Sequence, residues 1–473
     1  MKGKTSWDQR PHLNPFDRRD GLHICRIAPD LTSVELEWLD LGGDSPAFLE
    51  WRELYRGEDW HRTGTEGNTA VLTGLVPWMD YQVRLCRADG TQSAIRFFRT
   101  GEVPGRVIHH LHPKDDYYAE SGKCLCSPSL LKLPSGRLLA SMDVYRGGGP
   151  QNRTLLFRSD DRGENWHYVC DVMPLFWGDL FYHNGRVYYF GCSTEFGDIV
   201  IGASDDEGEH WTAPTHLFDG GCTVGNGWEQ SPMPVMEYKG RLYFSMEAAG
   251  RQWGRVPVFV SVPSDADLLD ASNWVVSEPL AFDPAWLPEP GVRLECFIEG
   301  NLFVSPEGDL RCMFRCDGWG MDLFRGKSPV LRVSTDDPER APEFLGFVDL
   351  PIGFMNKFFM RRDPVTGLYI AIGNLPTRKA PDQQRNVLAL CASEDAVHWR
   401  LVTRLIDREN DPIWEVGFQY PSWLFDGDDI LMQVRTAING ARNFHDANYS
   451  TFHVIRNFRD LLRAEPEREG EQR

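Results

Sequence analysis

Short runs in which apolar and polar residues alternate recur along the chain, each closed by glycine, aspartate or asparagine. That period-two spacing is the mark of half-buried strands. Between Leu22 and Thr100 the runs are SVELEWLDL, AFLEWREL, YQVRLCRA and AIRFFRT. They read as an antiparallel sandwich, with Trp38 on an early strand facing its core. GEVPG (Gly101–Gly105) serves as a linker.

Beyond Arg106 one unit repeats: an apolar strand, a turn rich in Gly or Asp, then a second strand. The copies are SLLKLPSGRLLASMD (Ser129–Asp143), LFYHNGRVYYFG (Leu180–Gly191) and VMEYKGRLYFSME (Val235–Glu247). LFVSPEGDLRCMFR (Leu302–Arg315), FFMRRDPVTGLYIAIGN (Phe358–Asn374) and WLFDGDDILMQVRT (Trp423–Thr436) complete the set of six. Each hairpin is followed by at least one further strand. NYSTFHVIRNFRDLL (Asn448–Leu462) reads as a strand that helps to close the ring. A hairpin plus outer strands every ~60 residues makes a four-stranded blade, and blades close radially to hide their edges. The expected fold is all-β: a sandwich with its extension and linker (residues 1–105), then a six-bladed β-propeller (residues 106–473).

Two outer connections share one motif, Ser-x-Asp-x-Gly-x-x-Trp: RSDDRGENW (Arg158–Trp166) and ASDDEGEHW (Ala203–Trp211). SEDAVHW (Ser393–Trp399) keeps a degraded copy, and STDDPE, with Ser334 and Asp336, keeps less. Ser and Asp side chains close a tight turn onto backbone amides, Gly supplies a positive φ, and Trp fills the gap between strands. These aspartates are folding elements placed far from any chemistry.

In every hairpin the start of the first strand and the end of the second lie at the same rim, where propellers gather ligand sites. At the strand starts stand Ser127, Trp177 with Asp179, Glu229 with Gln230, Glu299 with Asn301, Asn356 with Lys357, and Gln419 with Tyr420. At the strand ends stand Asp143, Gly191, Glu247, Arg315, Asn374 and Arg435. Just past the sixth hairpin, HDANY adds His445 and Asp446. Carboxylates for acid/base work, amides and guanidinium groups for hydroxyls, and an indole for a sugar face describe a carbohydrate site.

The repeated motif and these rim residues resemble the sialidase (neuraminidase) superfamily over roughly the last three-quarters of the chain. The resemblance implies that Tyr420, opening the sixth blade, is the nucleophile, polarised by Glu299 at the start of the fourth. Arg315 matches the arginine that ends the fourth blade's second strand. Other pieces depart from the family. Ser127 stands in Cys126-Ser127-Pro128-Ser129 where an arginine opens the first blade, and Lys357 stands where another is expected. VYRGGGPQN, in place of the loop holding the acid aspartate, contains no acid. Serine and lysine cannot reproduce the bidentate forks that grip a sialic acid carboxylate. The acid role is therefore open among Asp143, Asp179 and Glu247. Arg315, Arg435, Lys357, Gln230, Asn301, Asn374, Gln419, Trp177, His445 and Asp446 are candidate substrate contacts. Ahead of the propeller, Leu75, Pro77 and Tyr81 in LTGLVPWMDYQVRL resemble the tyrosine corner of fibronectin type III domains.

Composition narrows the function without naming it. A net charge of −19 disfavours nucleic acid and anionic membranes as partners, and no apolar run is long enough to span a bilayer. Eleven scattered cysteines read as reduced, buried thiols, and no spacing makes a metal finger. His109, His110 and His112 read as capping the domain entrance rather than holding a metal. No cofactor is implied, and the missing leader pattern favours the cytoplasm, the alternative being a secreted or periplasmic protein whose leader has been removed. The expected activity is that of an exo-acting glycoside hydrolase on a glycan whose terminal sugar is not an ordinary sialic acid. The alternatives are a propeller polysaccharide lyase acting on uronates and a non-catalytic carbohydrate-binding propeller.

Overall fold

The computed structural model describes residues 16–17, 22–40, 48–56, 59–65, 67–146, 150–221, 226–251, 254–280, 283–286, 293–319, 326–353, 355–378 and 383–463. Two small sheets come first. Leu22–Pro29, Ser33–Asp40 and Thr69–Thr73 form one; His61–Gly64, Phe48–Glu53, Asp80–Cys86 and Arg96–Arg99 form the other. Their alternating apolar residues meet in a core of Ile24, Leu36, Trp38, Leu49, Val83 and Phe98. The Tyr81 hydroxyl accepts the Val76 N–H at 2.8 Å, tying a strand to its preceding loop. All eight residues of Leu22–Pro29 are buried, because its second face lies on the following domain. There Arg26 donates from Nε to the Ile108 carbonyl at 2.9 Å, and buried Arg96 pairs with buried Asp115 at 2.6 Å.

Six antiparallel sheets follow. The first holds Cys124–Lys132, Leu138–Tyr145, Thr154–Ser159 and His167–Val172; the second holds Phe176–His183, Arg186–Cys192, Ile199–Ser204 and Thr215–Phe218. In the third, Trp228–Glu229 and Met236–Tyr238 both pair with Arg241–Arg251, followed by Gly254–Pro263 and Val275–Val276. The fourth is Arg293–Val304, Leu310–Trp319, Lys327–Arg332 and Glu343–Asp349; the fifth is Phe358–Arg362, Tyr369–Asn374, Val387–Ser393 and Trp399–Asp407. The sixth joins Gly417–Asp426, Asp429–Ala437 and Tyr449–Ile455 to Arg106–His110, so both ends of this region share one sheet. The short strand Phe16–Asp17, expected within the sandwich region, instead edges the first of the six sheets.

First strands meet between the first and second, fourth and fifth, and fifth and sixth sheets, and the sixth meets the first in the same way. The third meets the fourth through Arg241–Arg251 and Gly254–Pro263 against Arg293–Val304. Polar staples mark these seams. Ser129 Oγ hydrogen-bonds Asp179 Oδ1 at 2.8 Å and accepts the Leu180 N–H. Asn301 donates to the Phe358 carbonyl and accepts the Met360 N–H, and Ser422 Oγ accepts the Leu130 N–H at 3.0 Å across the closing seam. Apolar cores fill the space between blades, as where Phe190 and Phe244 meet with ring centres 4.4 Å apart.

At the far end of the blades the Ser-x-Asp turns join third to fourth strands. Ser159 Oγ donates to Asp161 and accepts the Gly163 N–H, while Asp161 accepts the Asn165 N–H. Ser204, Asp206 and Gly208 repeat the pattern. Gly163 has φ 92°, and a Cβ there would collide with Phe452 of the sixth blade. The final segment differs from the expected continuous strand. It turns at Asn457, whose φ is 48°, and Phe458–Arg463 form a short helix. Phe458 and Leu462, one helical turn apart, are both buried there. The nine cysteines whose side chains are described are free and buried.

The Asp179 carboxyl yields a test of the seam. Burial raises it to about 7, so the folded chain keeps a proton that an unfolded aspartate loses near pH ~3.9. This contribution to stability is complete below that lower value and is lost as the pH rises through about 7. Asp179→Asn removes it. The melting temperature of the variant minus that of the parent should become more positive across this window, followed by thermal unfolding. A constant difference would contradict the assignment.

Candidate active site

Four of the six inner strands enter the rim through the same irregularity. Pairing with the second strand skips from Cys126 to Ser129, Phe176 to Asp179, Ile298 to Asn301 and Gln419 to Ser422. Within each bulge a non-glycine residue takes a left-handed backbone: Ser127 (φ 48°), Trp177 (55°), Glu299 (58°) and Tyr420 (55°). Bulges re-aim a side chain, and here all four side chains line one cavity of about 180 Å3.

The preceding blade braces two of these distortions with a carboxylate. Asp143, at the end of the first blade's second strand, accepts the Trp177 N–H at 2.8 Å. Glu247, in the same place on the third blade, accepts the Glu299 N–H at 2.8 Å. Asn374 of the fifth blade donates to the Phe418 carbonyl at 2.6 Å, just ahead of Tyr420. Burial raises Asp143 to about 7 and raises Glu247 too, the latter reinforced by Glu229 and Glu299. The rim positions read from sequence are thus two kinds of residue. Asp143, Glu247, Asn301, Asn374 and Asp179 sit in the seams between blades, outside the cavity lining. Arg315 and Arg435, also at second-strand ends, face the cavity with Trp177, Gln230, Glu299, Tyr420 and His445.

At the cavity floor Arg315 Nη1 lies 2.6 Å from Glu299 Oε2 and 3.0 Å from the Tyr420 hydroxyl. One guanidinium nitrogen therefore ties the carboxylate to the phenol. The Tyr420 ring is flanked by three further cations, with Arg435 at 5.0 Å, Lys357 at 5.2 Å and Arg385 at 5.7 Å from its centre. Burial, then Glu299, raises the Tyr420 hydroxyl, while Arg315, Arg385 and Arg435 pull it down. Lys357 is buried, donates to the Pro232 carbonyl at 2.6 Å, and is lowered to about 8 by that burial. His445 is lowered to about 3 by burial and by Arg435, which leaves a neutral imidazole at the wall. Asp446 holds its ring at 2.9 Å. Gln419 points away from the cavity, accepting from Arg385 and donating to the Phe444 carbonyl.

Several contributors escaped the sequence reading. Glu229, read only as a rim residue, lines the cavity and pairs with Arg255 at 2.6 Å. Arg255, Glu195, Phe196 and Tyr145 also line it. Arg255 opens a third strand, and Arg385 stands just ahead of another. Each third strand starts at the rim where the second ends, so a lone arginine before an apolar run was the available signal. Part of the VYRGGGPQN loop (residues 147–149) lies outside the described residues. His109 stacks on Phe157 and His110 hydrogen-bonds the Asn448 carbonyl; among the described residues no group of three or more His, Cys, Asp or Glu could hold a metal ion.

No family model and no curated protein matches the chain. Solved structures do. A Penicillium chrysogenum α-L-arabinanase complexed with arabinobiose is 17% identical, with 75% of this chain and 98% of that one covered, at a TM-score of 0.50. The GH93 α-L-arabinofuranosidase of Fusarium graminearum with arabinobiose is 16% identical over the same shares, also at 0.50. A Hadza microbial sialidase reaches 0.48 at 15% identity, over 94% of this chain and 98% of its own. What the two structures at a TM-score of 0.50 share with the chain is the fold.

The bracing carboxylate makes a prediction. Glu247→Leu leaves a buried N–H without an acceptor and should cost about 1–3 kcal/mol in chemical denaturation. Glu247→Gln, which keeps an acceptor oxygen, should cost clearly less. Equal losses would mean that the carboxylate does not brace Glu299.

Proposed function

We propose that the chain is an exo-acting glycoside hydrolase that releases an uncharged terminal sugar from a glycan. The observation that carries this reading is the Glu299–Arg315–Tyr420 cluster at the floor of a cavity of about 180 Å3. Pockets for drug-sized ligands run to about 300–1,000 Å3, so this one suits a single sugar ring at a chain end. Among the described residues, Gln230 Oε1 and Arg435 Nε border it as buried polar atoms without a protein partner, an acceptor and a donor ready for hydroxyls.

The absence of charge on the sugar follows from how the arginines are used. Arg255 and Arg315 are paired with lining glutamates, and Arg385 is held beneath Tyr420 by Gln419 and Asn356. Among the described lining residues this leaves Arg435, and Ser127 supplies no cation. A substrate carboxylate would lack the triple fork that sialic acid recognition needs. The arabinobiose carried by the two matched structures is likewise uncharged, which fits the reading.

In the proposed reaction Tyr420 attacks the anomeric carbon, and its proton passes toward Glu299. A phenol of pKa near ~10 needs such a base at neutral pH. Arg315 offsets negative charge as it develops on the phenol oxygen. The acid that protonates the leaving oxygen comes from Glu229 or Glu195, because Asp143, Asp179 and Glu247 are taken up by the seams. A second reading is favoured by Glu229, which lines the same cavity: Glu229 and Glu299 would act as a carboxylate pair, with Tyr420 a binding group.

Turnover of aryl glycosides and neutral glycans separates the two. If Tyr420 is the nucleophile, Tyr420→Phe and Glu299→Gln each cut kcat by orders of magnitude, and the double variant loses little more. If two carboxylates act, Tyr420→Phe loses about tenfold or less while Glu229→Gln and Glu299→Gln are inert. An unsaturated product absorbing in the near ultraviolet would replace both readings with a lyase.

A further inference from the structure

A cleft of about 510 Å3, larger than the funnel cavity, opens between the third and fourth blades. It lies at the end of the blades remote from the bulges. Tyr238 and Lys239 close the third blade's inner hairpin there, Glu307 and Gly308 close the fourth's, and the connection after Arg332 forms the remaining wall.

The cleft has an origin in the repeat. In the two intact turns a tryptophan follows the serine by seven positions, Trp166 after Ser159 and Trp211 after Ser204. Each packs on the blade before its own. Trp166 meets Phe452 of the sixth blade with ring centres 5.3 Å apart, and Trp211 shares a core with Leu139 and Leu156 of the first. In the degraded fifth-blade copy, Trp399 packs against the core holding Phe303 and Met313 of the fourth. The fourth blade starts the same turn at Ser334, but seven positions on stands Ala341, on the cleft wall. Where the first, second and fifth blades insert an indole at this turn, and the third packs Trp274 on Phe190 of the second, the fourth leaves a gap facing Tyr238 and Lys239.

We propose that this gap is a second carbohydrate-binding site that takes a neutral oligosaccharide segment; the choice of a glycan rests on the hydrolase reading of the funnel. The wall mixes donors and acceptors with a slight excess of carboxylates: Lys239, Arg332 and Arg340 against Glu307, Asp309, Asp336 and Glu343. A sugar hydroxyl both donates and accepts, so it suits such a wall, whereas a polyanion would meet no net positive charge. Tyr238 adds a ring face, fixed by its hydroxyl donating to the Gly308 carbonyl at 2.5 Å. Rings of this kind carry the apolar face of a sugar while their polar end stays bonded. The volume accommodates more than one sugar ring. Sited away from the funnel, the cleft holds a polymer without blocking release of the terminal sugar.

The test is affinity electrophoresis of the full chain carrying Glu299→Gln, in gels cast with arabinan, xylan, galactan, polygalacturonate or no polymer. At least one neutral polymer should retard it. Ala341→Trp, which supplies the missing indole, should weaken that retardation at least fivefold, as should Tyr238→Ala. With Glu299 intact, Ala341→Trp should leave hydrolysis of a small aryl glycoside unchanged. Should Ala341→Trp fail to fold, Tyr238→Ala and Arg340→Ala decide the matter. Retardation untouched by the cleft variants, retardation by polygalacturonate alone, or none in any neutral gel overturns the site. A chain that hydrolyses aryl glycosides but is never retarded sinks the cleft alone. One retarded through the cleft that hydrolyses nothing sinks the funnel reading alone.

Discussion

The left-handed residue at the mouth of an inner strand is the constraint on which the site depends. A side chain forced to positive φ costs about 1–2 kcal/mol, and four inner strands accept it at Ser127, Trp177, Glu299 and Tyr420. The bulge turns those four side chains out of the blade packing and into the funnel. At Trp177 and Glu299 the bent peptide is held because the preceding blade offers its N–H a buried carboxylate. Chemistry in the cavity is thus set by backbone geometry that belongs to two blades at once.

A division of labour among charged groups follows. Carboxylates that face the seams are buried and raised, as Asp143 and Asp179 are, each to about 7. They serve packing and hydrogen bonding. Carboxylates that face the cavity are matched to arginines, Glu299 to Arg315 and Glu229 to Arg255. Such pairs give each lining carboxylate a cationic partner, and they spend the guanidinium groups that a charged substrate would need. The N-terminal sandwich stands apart from this arrangement. It contacts the last and first sheets at their outer strands through Arg26 and Glu37, and the loop between Arg106–His110 and Cys124–Lys132 through Arg96.

Much of this was legible in the sequence, because it depends on local periodicity. The six hairpins, the outer turns at Ser159 and Ser204, and the rim positions all follow from counting strands. What a rim residue does there was not legible. Asp143 and Arg315 occupy equivalent places at the end of a second strand, yet one braces a neighbouring bulge and the other faces the cavity. That difference lies in the neighbouring blade and not in the residue's own strand. Arg255 and Arg385 were missed because they stand at the mouths of third strands, whose starts reach the same rim. The strand expected through Leu462 ended early because Asn457 bends the chain and Phe458 and Leu462 bury at helical spacing. Closure by Arg106–His110 pairs residues more than three hundred positions apart, which no local pattern can announce.

The central claim is that a bulge-borne phenol attacks a terminal sugar. A covalent glycosyl intermediate on Tyr420 requires two successive displacements at the anomeric carbon, and so net retention. Proton nuclear magnetic resonance of the first sugar released, recorded before mutarotation, reads this directly. The account predicts the substrate's own anomer as the first product. An inverted first product would contradict it.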